Sequence, residues 1–293
     1  MDIMADKYNA LWVSHSSIND FLQCPRAYFL KNMYKDPTNN KKVKLISPSL
    51  TLGSVVHTVL ESLSTLPTED RFSTPLLRQF DSEWEKNTGK KGGFKDEQQE
   101  TKYKKRGEEM IRRVIAHPGP LEKLAVKINM DLPYYWLSEK DEIILCGKID
   151  WLQYIPEEDS VNILDFKTSM KKEEGESLQL PIYHLLVHHC QKRKVKMASY
   201  WYLELDDEPE EKQLPDLDES EVKVMTIAKK IKLARQLNKL DCPEGGDGCF
   251  ACRPFEAILR GEAENVGVDD YGTNIYYLPY ESEVEEDREG ILL

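Results

Sequence analysis

The 293-residue sequence contains no apolar run near the roughly 20 residues of a membrane-spanning helix, so it offers no transmembrane helix. The opening MDIMADKYNALWV has no basic stretch followed by an apolar one, the mark of a secretory leader. The expectation is a cytoplasmic protein with no membrane partner, its six cysteines not joined as disulfides. No G-x(4)-G-K-[ST] loop is present, so a nucleotide-driven motor of that type is not on this chain. A positive balance is missing too: 52 Asp and Glu stand against 40 Lys and Arg, a formal net charge of −12. Taken in bulk, that figure argues against nucleic acid, whose binders are usually basic.

The acidity is local. Residues 206–221 carry nine acids and one lysine, and residues 262–293 carry ten acids and one arginine, together −17. The other 245 residues therefore sum to +5. Residues 86–113 hold ten basic side chains against five acidic ones, and Lys192, Arg193, Lys194 and Lys196 form a second basic cluster. Acidic blocks of this kind are expected to be solvated loops or tails. The remaining body is compatible with a phosphate backbone. Trp84, Phe94 and Tyr103, in or beside the first basic stretch, suggest stacking on a single strand; a solvated helical hairpin is the alternative.

Periodicity predicts helices first. Ser14 or Ser16 can cap a helix carrying Ile18, Phe21, Leu22 and Tyr28, which Pro25 bends or divides. Further helical patterns cover 52–63, 74–87 and 100–116. Residues 125–137, 142–155 and 160–167 read as strands, rich in β-branched and aromatic residues. A helix at 178–191, a strand at 197–205 and a helix at 219–240 follow. The fold class is α/β: a mixed sheet core flanked by helices, with a helical elaboration at the front.

The segment GKIDWLQYIPEEDSVNILDFKTS concentrates the chemistry. Asp150 is expected to end one apolar strand, with Asp165 and Lys167 near the end of the next. Residues i and i+2 of a strand face the same side, so Asp165 and Lys167 project together, and a hairpin would bring Asp150 to them. Two carboxylates beside a lysine form a hard oxygen site suited to Mg²⁺ or Mn²⁺. Such an ion binds phosphate oxygens and activates water, while Lys167 can offset developing charge. Considered alone, Asp165 and Lys167 read better as a surface ion pair on an edge strand.

Five motifs in order widen the basis: Ser14, Ser16, Phe21, Cys24, Pro25 and Tyr28; then Gly53 and His57, followed by Glu61; then Gly147 to Asp150 (GKID); then Asp165 to Lys167 (DFK); and Gln179 to Tyr183 (QLPIY). In these the chain resembles the PD-(D/E)xK nuclease superfamily, in particular its RecB-like branch. That branch includes the RecB and AddB nuclease domains, exonuclease V and the CRISPR-associated adaptation exonuclease. The resemblance spans residues 14–255 and implies a restriction-endonuclease-like core. It also implies a metal-dependent DNA exonuclease acting on single-stranded ends, in repair, recombination or CRISPR adaptation. By the same resemblance Asp150, Asp165, His57 and the Phe166 carbonyl hold the metal, and Lys167 is the catalytic lysine. Gln179 and Tyr183, one helical turn apart, orient Lys167 or contact the DNA backbone. His188 and His189 have no such support and are expected to face solvent or an interface.

Cys242, Cys249 and Cys252 follow the spacing C-x(6)-C-x(2)-C in a glycine-rich loop, one ligand short of a tetrahedral thiolate set. Iron–sulfur members of the resembled branch complete such a set with the cysteine of the C-P motif, here Cys24. Their usual spacing is nearer C-x(2)-C-x(5)-C, from which this chain departs. The implied occupant is a [4Fe–4S] cluster, with zinc as the alternative, tying both ends of a nuclease domain at 1–261. Residues 64–122 would be a helical insertion and 262–293 an acidic tail. Cys146 and Cys190 are expected to be inert buried thiols. Alternatives to a free-standing enzyme are a subunit active only with a helicase or integrase partner, an idle DNA-binding homologue, and a structural zinc domain.

Overall fold

The computed structural model describes residues 6–173, 175 and 177–279. The chain opens with β1 (Leu11–Val13), α1 (His15–Gln23) and α2 (Pro25–Tyr28). Ser14 caps α1, accepting from the Ser17 backbone while the Ser17 hydroxyl accepts from the Ser14 N–H, a reciprocal arrangement that satisfies otherwise unpaired donors. Pro25 divides the expected helix: Cys24 is extended, and Pro25 restarts the helix where its missing N–H costs nothing. Next come β2 (Val43–Leu45), α3 (Pro48–Ser62), α4 (Leu76–Glu85) and α5 (Glu97–Ala116). The second half contains β3 (Tyr134–Ser138), β4 (Ile143–Cys146), β5 (Trp151–Ile155), β6 (Ser160–Lys167), α6 (Gln179–Cys190), β7 (Lys194–Tyr202) and β8 (Glu210–Lys212). It closes with α7 (Leu217–Gln236), α8 (Arg253–Leu259), β9 (Glu264–Val268) and β10 (Asn274–Tyr277).

Three mixed sheets result, in the orders β1-β4-β3, β2-β10-β9 and β5-β6-β7-β8, flanked by helices in a restriction-endonuclease-like α/β fold. In the four-stranded sheet β5 and β6 form an antiparallel hairpin, β7 lies parallel to β6, and β8 edges it. Every residue of β6 is buried, as befits a central strand with both faces covered. One face packs on α3, α4 and α5 through Val55, Val59, Phe80, Trp84, Met110, Leu164 and Phe166. Another core joins α1, α6 and α7 to β1 and β4 through Ile18, Ile182, Leu185, Val224 and Ile143.

Several expectations are corrected. The stretch 142–155 is two strands rather than one: β4 pairs with β1 and β3, β5 pairs with β6, and residues 147–150 cross between the sheets. Asp150 therefore precedes a strand instead of ending one. Of 125–137 only the last part is strand, with Ala125 bridging Gln153. Trp84, Phe94 and Tyr103 are each about 1% exposed and contact one another's rings. They fill the core under α4 and α5, so they offer no stacking surface; burying three large rings outweighs leaving them wet.

The acidic block 206–221 holds β8 and the start of α7. Asp216 caps that helix, and Asp218 and Glu219 sit in its first turn, where negative charge is favourable. Arg193 and Lys196 of the second basic cluster are engaged by Asp159 and Glu158. Within the expected acidic tail, β9 and β10 pair with each other and β10 with β2; its remainder, 280–293, lies outside the described residues. His188 and His189 are exposed, the latter stacking on Tyr135. Cys146 is buried and Cys190 half-buried, and burial raises both thiol pKa values, that of Cys146 to about 11.

Candidate active site

The hairpin register builds the centre of the site. Trp151 lies opposite Leu164, so one step outward brings Asp150 across from Asp165. The Phe166 N–H donates to Asp150 Oδ2 at 2.9 Å, fixing that carboxylate against β6. Helix α3 delivers His57 from the side. Its close approach depends on Gly53, where a Cβ would stand 3.3 Å from the Thr168 hydroxyl just past Lys167. His57 Nδ1 then lies 3.4 Å from Asp150 Oδ2 and 3.8 Å from Glu61 Oε1, one turn further along α3. Ligand atoms of His57, Glu61 and Asp150 fall within 4.8 Å of one another.

Behind them is a hydrogen-bonded chain. Asp165 is 2% exposed, Lys167 8% and Gln179 9%. Lys167 Nζ donates to Gln179 Oε1 at 2.6 Å, and Gln179 Nε2 donates to Asp165 Oδ1 at 2.9 Å and to the Tyr183 hydroxyl at 3.2 Å. The amide orientation follows from its neighbours: the carbonyl meets the ammonium and the NH₂ meets the carboxylate. Lys167 Nζ also lies 3.1 Å from Asp165 Oδ2 and is paired with Glu173. The approach to Asp165 is poorly angled, so Asp165 Oδ2 is buried without a hydrogen-bond partner among the described residues. The Tyr200 ring lies under the ammonium at 4.6 Å, a favourable cation–π contact.

The charges are strongly coupled. Burial and then the neighbouring Asp150 charge push the Asp165 carboxyl up to about 7. Asp150 sits below its ordinary value: burial opposes this, but the His57 charge and hydrogen bonds from His57 and Phe166 outweigh it. Burial pulls His57 down, yet Asp150 and Glu61 more than offset it and hold the imidazolium to about 10. Lys167 is raised by Asp165 and Glu173 against its own burial, and so stays charged. Burial and nearby carboxylates keep Tyr183 a neutral phenol. His15 is lowered by burial and by Lys167.

This donor set suits a divalent cation. The ligand atoms of His57, Glu61 and Asp150 converge, one Asp165 oxygen has no hydrogen bond among the described residues, and a cation there would offset the Asp150 charge that raises the Asp165 carboxyl. All seven residues singled out from the sequence lie in this cluster or on its wall: Asp150, Asp165, Lys167, His57, Phe166, Gln179 and Tyr183. Glu61, named in the His57 motif without a role, joins the cluster, and Glu173 is an addition. Glu61 was legible as the i+4 partner of His57; Glu173 had no signal, being one acid in an irregular stretch.

Cys24, Cys242, Cys249 and Cys252 form a second cluster, their sulfurs all within 4.8 Å of one another and the Cys249–Cys252 pair 3.8 Å apart. None is in a disulfide. Burial would raise the Cys242 thiol, but N–H groups of Glu244 and Cys249 bring it down to about 7. Gly248 has φ +86°, and a Cβ there would come within 2.6 Å of the Cys252 sulfur, so only glycine fits that wall. Four convergent thiols in such a cradle suit a zinc ion or an iron–sulfur cluster. The site joins the start of α2 to the loop before α8, reinforced by Arg26 on Glu256 at 2.5 Å.

A family model for the PD-(D/E)XK nuclease superfamily matches residues 12–261, and the chain belongs to that superfamily of metal-dependent nucleases. No curated protein matches it. Membership implies DNA as substrate and the use of a divalent metal. No helix among the described residues is long and apolar enough to cross a membrane.

Proposed function

We propose that the protein is a RecB-like, Mg²⁺- or Mn²⁺-dependent DNA exonuclease that hydrolyses phosphodiester bonds at single-stranded ends. The carrying observation is that one strand hairpin sets Asp150, beside His57, across from Asp165, beside Lys167, with Asp165 Oδ2 buried and without a hydrogen bond among the described residues. Asp150, Asp165, His57 and the Phe166 carbonyl are the metal ligands in this reading, with Glu61 orienting His57. A divalent metal bound there supplies Lewis-acid polarisation of the phosphate.

The chain's own residues do the rest. Lys167, held charged by Asp165 and Glu173, presents an ammonium to the charge that builds on the phosphoryl oxygens. Gln179 fixes its direction from one side and anchors Asp165 from the other. Tyr183, kept neutral, holds the Gln179 amide in that orientation. Glu173 must yield Lys167 when a phosphate arrives, since both are anions competing for one ammonium.

The motif order supports an iron–sulfur cluster at the cysteines. Sulfurs within 4.8 Å also suit one tetrahedral zinc with bonds of ~2.3 Å, and iron, sulfide and zinc analysis of purified protein separates the two. The activity is tested on 5′- and 3′-labelled single and double strands with Mg²⁺ or Mn²⁺. Progressive shortening of single strands is the expected result; all four substrates left intact with either metal would overturn the proposal.

A further inference from the structure

Beside the carboxylate–lysine cluster lies a cavity of the opposite charge character. It encloses about 290 Å³, close to the lower size limit of small-ligand pockets. Lys42 and Arg235 line it together with Trp12, Ser14, Ser17 and Tyr28. No carboxylate lines it among the described residues, although the chain has 52 acids. Many of its polar groups are already engaged. Ser14 and Ser17 cap α1, and the Trp12 N–H donates to the Lys7 carbonyl. Lys42 makes no ion pair among the described residues, and Arg235 stands beside the neutral Tyr28 phenol. The charge offered to a ligand is therefore positive. Trp12, tilted against Tyr134 at 4.9 Å, gives the cavity an aromatic wall.

Two chain segments lead from the cavity to the active site. Ser14, on the cavity, directly precedes His15, which lies close enough to Lys167 and Glu173 to be shifted by their charges. Cys146, which also lines the cavity, is followed directly by the crossover 147–150 that ends at Asp150. A strand whose scissile phosphate sits at Asp150 and Asp165 thus has a cationic, aromatic-walled recess next to it.

We propose that this cavity holds one nucleotide of the substrate strand flanking the cleaved bond, its backbone phosphate bound by Lys42 and Arg235 and its base against Trp12. This rests on reading the chain as a DNA exonuclease. Both cations are exposed, so their replacement is expected to leave the fold intact, which a thermal melt checks.

The test is binding of a fluorescein-labelled single-stranded oligonucleotide by fluorescence anisotropy across a salt series, with cleavage by the parent protein followed in parallel. The Lys42→Ala/Arg235→Ala variant is expected to bind about tenfold more weakly. Its slope of log Kd against log salt should be shallower by about 1.4, two contacts at ~0.7 each for a single strand. Trp12→Ala should weaken binding at every salt concentration without changing the slope, and Arg235→Lys should restore most of the loss. If the parent cleaves DNA and the double variant binds with unchanged Kd and slope, the cavity assignment is overturned while the nuclease reading stands. If the parent does not cleave but binding still depends on Lys42 and Arg235, the nuclease reading fails and the cavity stands. Loss of both binding and cleavage in the folded parent overturns both.

Discussion

Replacing Asp165 with asparagine is expected to stabilise the metal-free protein at pH 8. The Asp165 carboxyl is held at about 7 against an ordinary 3.8, by burial first and then by Asp150. Because its folded-state pKa is raised, the folded protein binds more protons than the unfolded chain across that interval. Stability therefore falls as pH climbs from about 4 to about 7, and the full cost remains above it. The interval corresponds to roughly 4 kcal/mol at about 1.4 kcal/mol per pH unit. Asparagine removes that cost but forfeits the ion pair with Lys167. Lys167 keeps Gln179 and Glu173, so the net gain is about 2 kcal/mol, or a rise of about 3 °C in Tm for a chain of this size. Thermal melts of parent and Asp165→Asn in chelator, from pH 4 to 8, measure the gap. It should widen with pH up to about 7 and then level. Added Mn²⁺ should raise the Tm of the parent and leave the variant near its chelator value. A variant no more stable than the parent at pH 8 would refute the reasoning, because the buried carboxylate would then impose no cost for the metal to relieve.

Mn²⁺ binding should release protons: His57 is held protonated to about 10 and must be neutral to ligate. Titration calorimetry near pH 7.5 in buffers of different ionisation enthalpy is expected to show at least about one proton released per ion, and affinity should rise with pH. Gln179→Leu removes hydrogen bonds to both Lys167 and Asp165 and is expected to slow cleavage on the order of 100-fold, consistent with losing positioning of a charged group, while circular dichroism stays native. Gly248→Ala places a methyl against the Cys252 sulfur at a positive φ; a loss of roughly 2 kcal/mol and reduced metal content by elemental analysis are expected. Cys24→Ser should release the metal from the cysteine site and lower Tm more than Cys146→Ser does, since only Cys24 joins the thiol cluster.

The parts of this protein legible in the sequence are those governed by local rules. Asp165 and Lys167 project together because strands alternate, and Gln179 and Tyr183 share a face because helices turn in 3.6 residues. Pro25 and Ser14 marked a real helix boundary. What stayed hidden depends on long-range packing. The break of 142–155 into strands of two sheets is set by partners more than 100 residues away in one case, β1 on β4. Trp84, Phe94 and Tyr103 read as exposed because the basic residues between them dominate the local composition. In fact Lys102, Lys105 and Arg112 are exposed while the rings turn inward. Strands β2, β9 and β10 were missed because each is short and β2 finds its partner β10 more than 200 residues away. Glu173 lies in an irregular stretch, where no periodicity points a side chain anywhere.

The most direct measurement is single-strand cleavage by the purified 293-residue chain in Mn²⁺, compared with Lys167→Ala at matched folding and matched Mn²⁺ affinity. The parent should shorten an end-labelled oligonucleotide, and the variant should bind the ion and leave the oligonucleotide intact. Equal cleavage by both proteins would contradict the assignment of Asp150, Asp165 and Lys167 as the reacting centre.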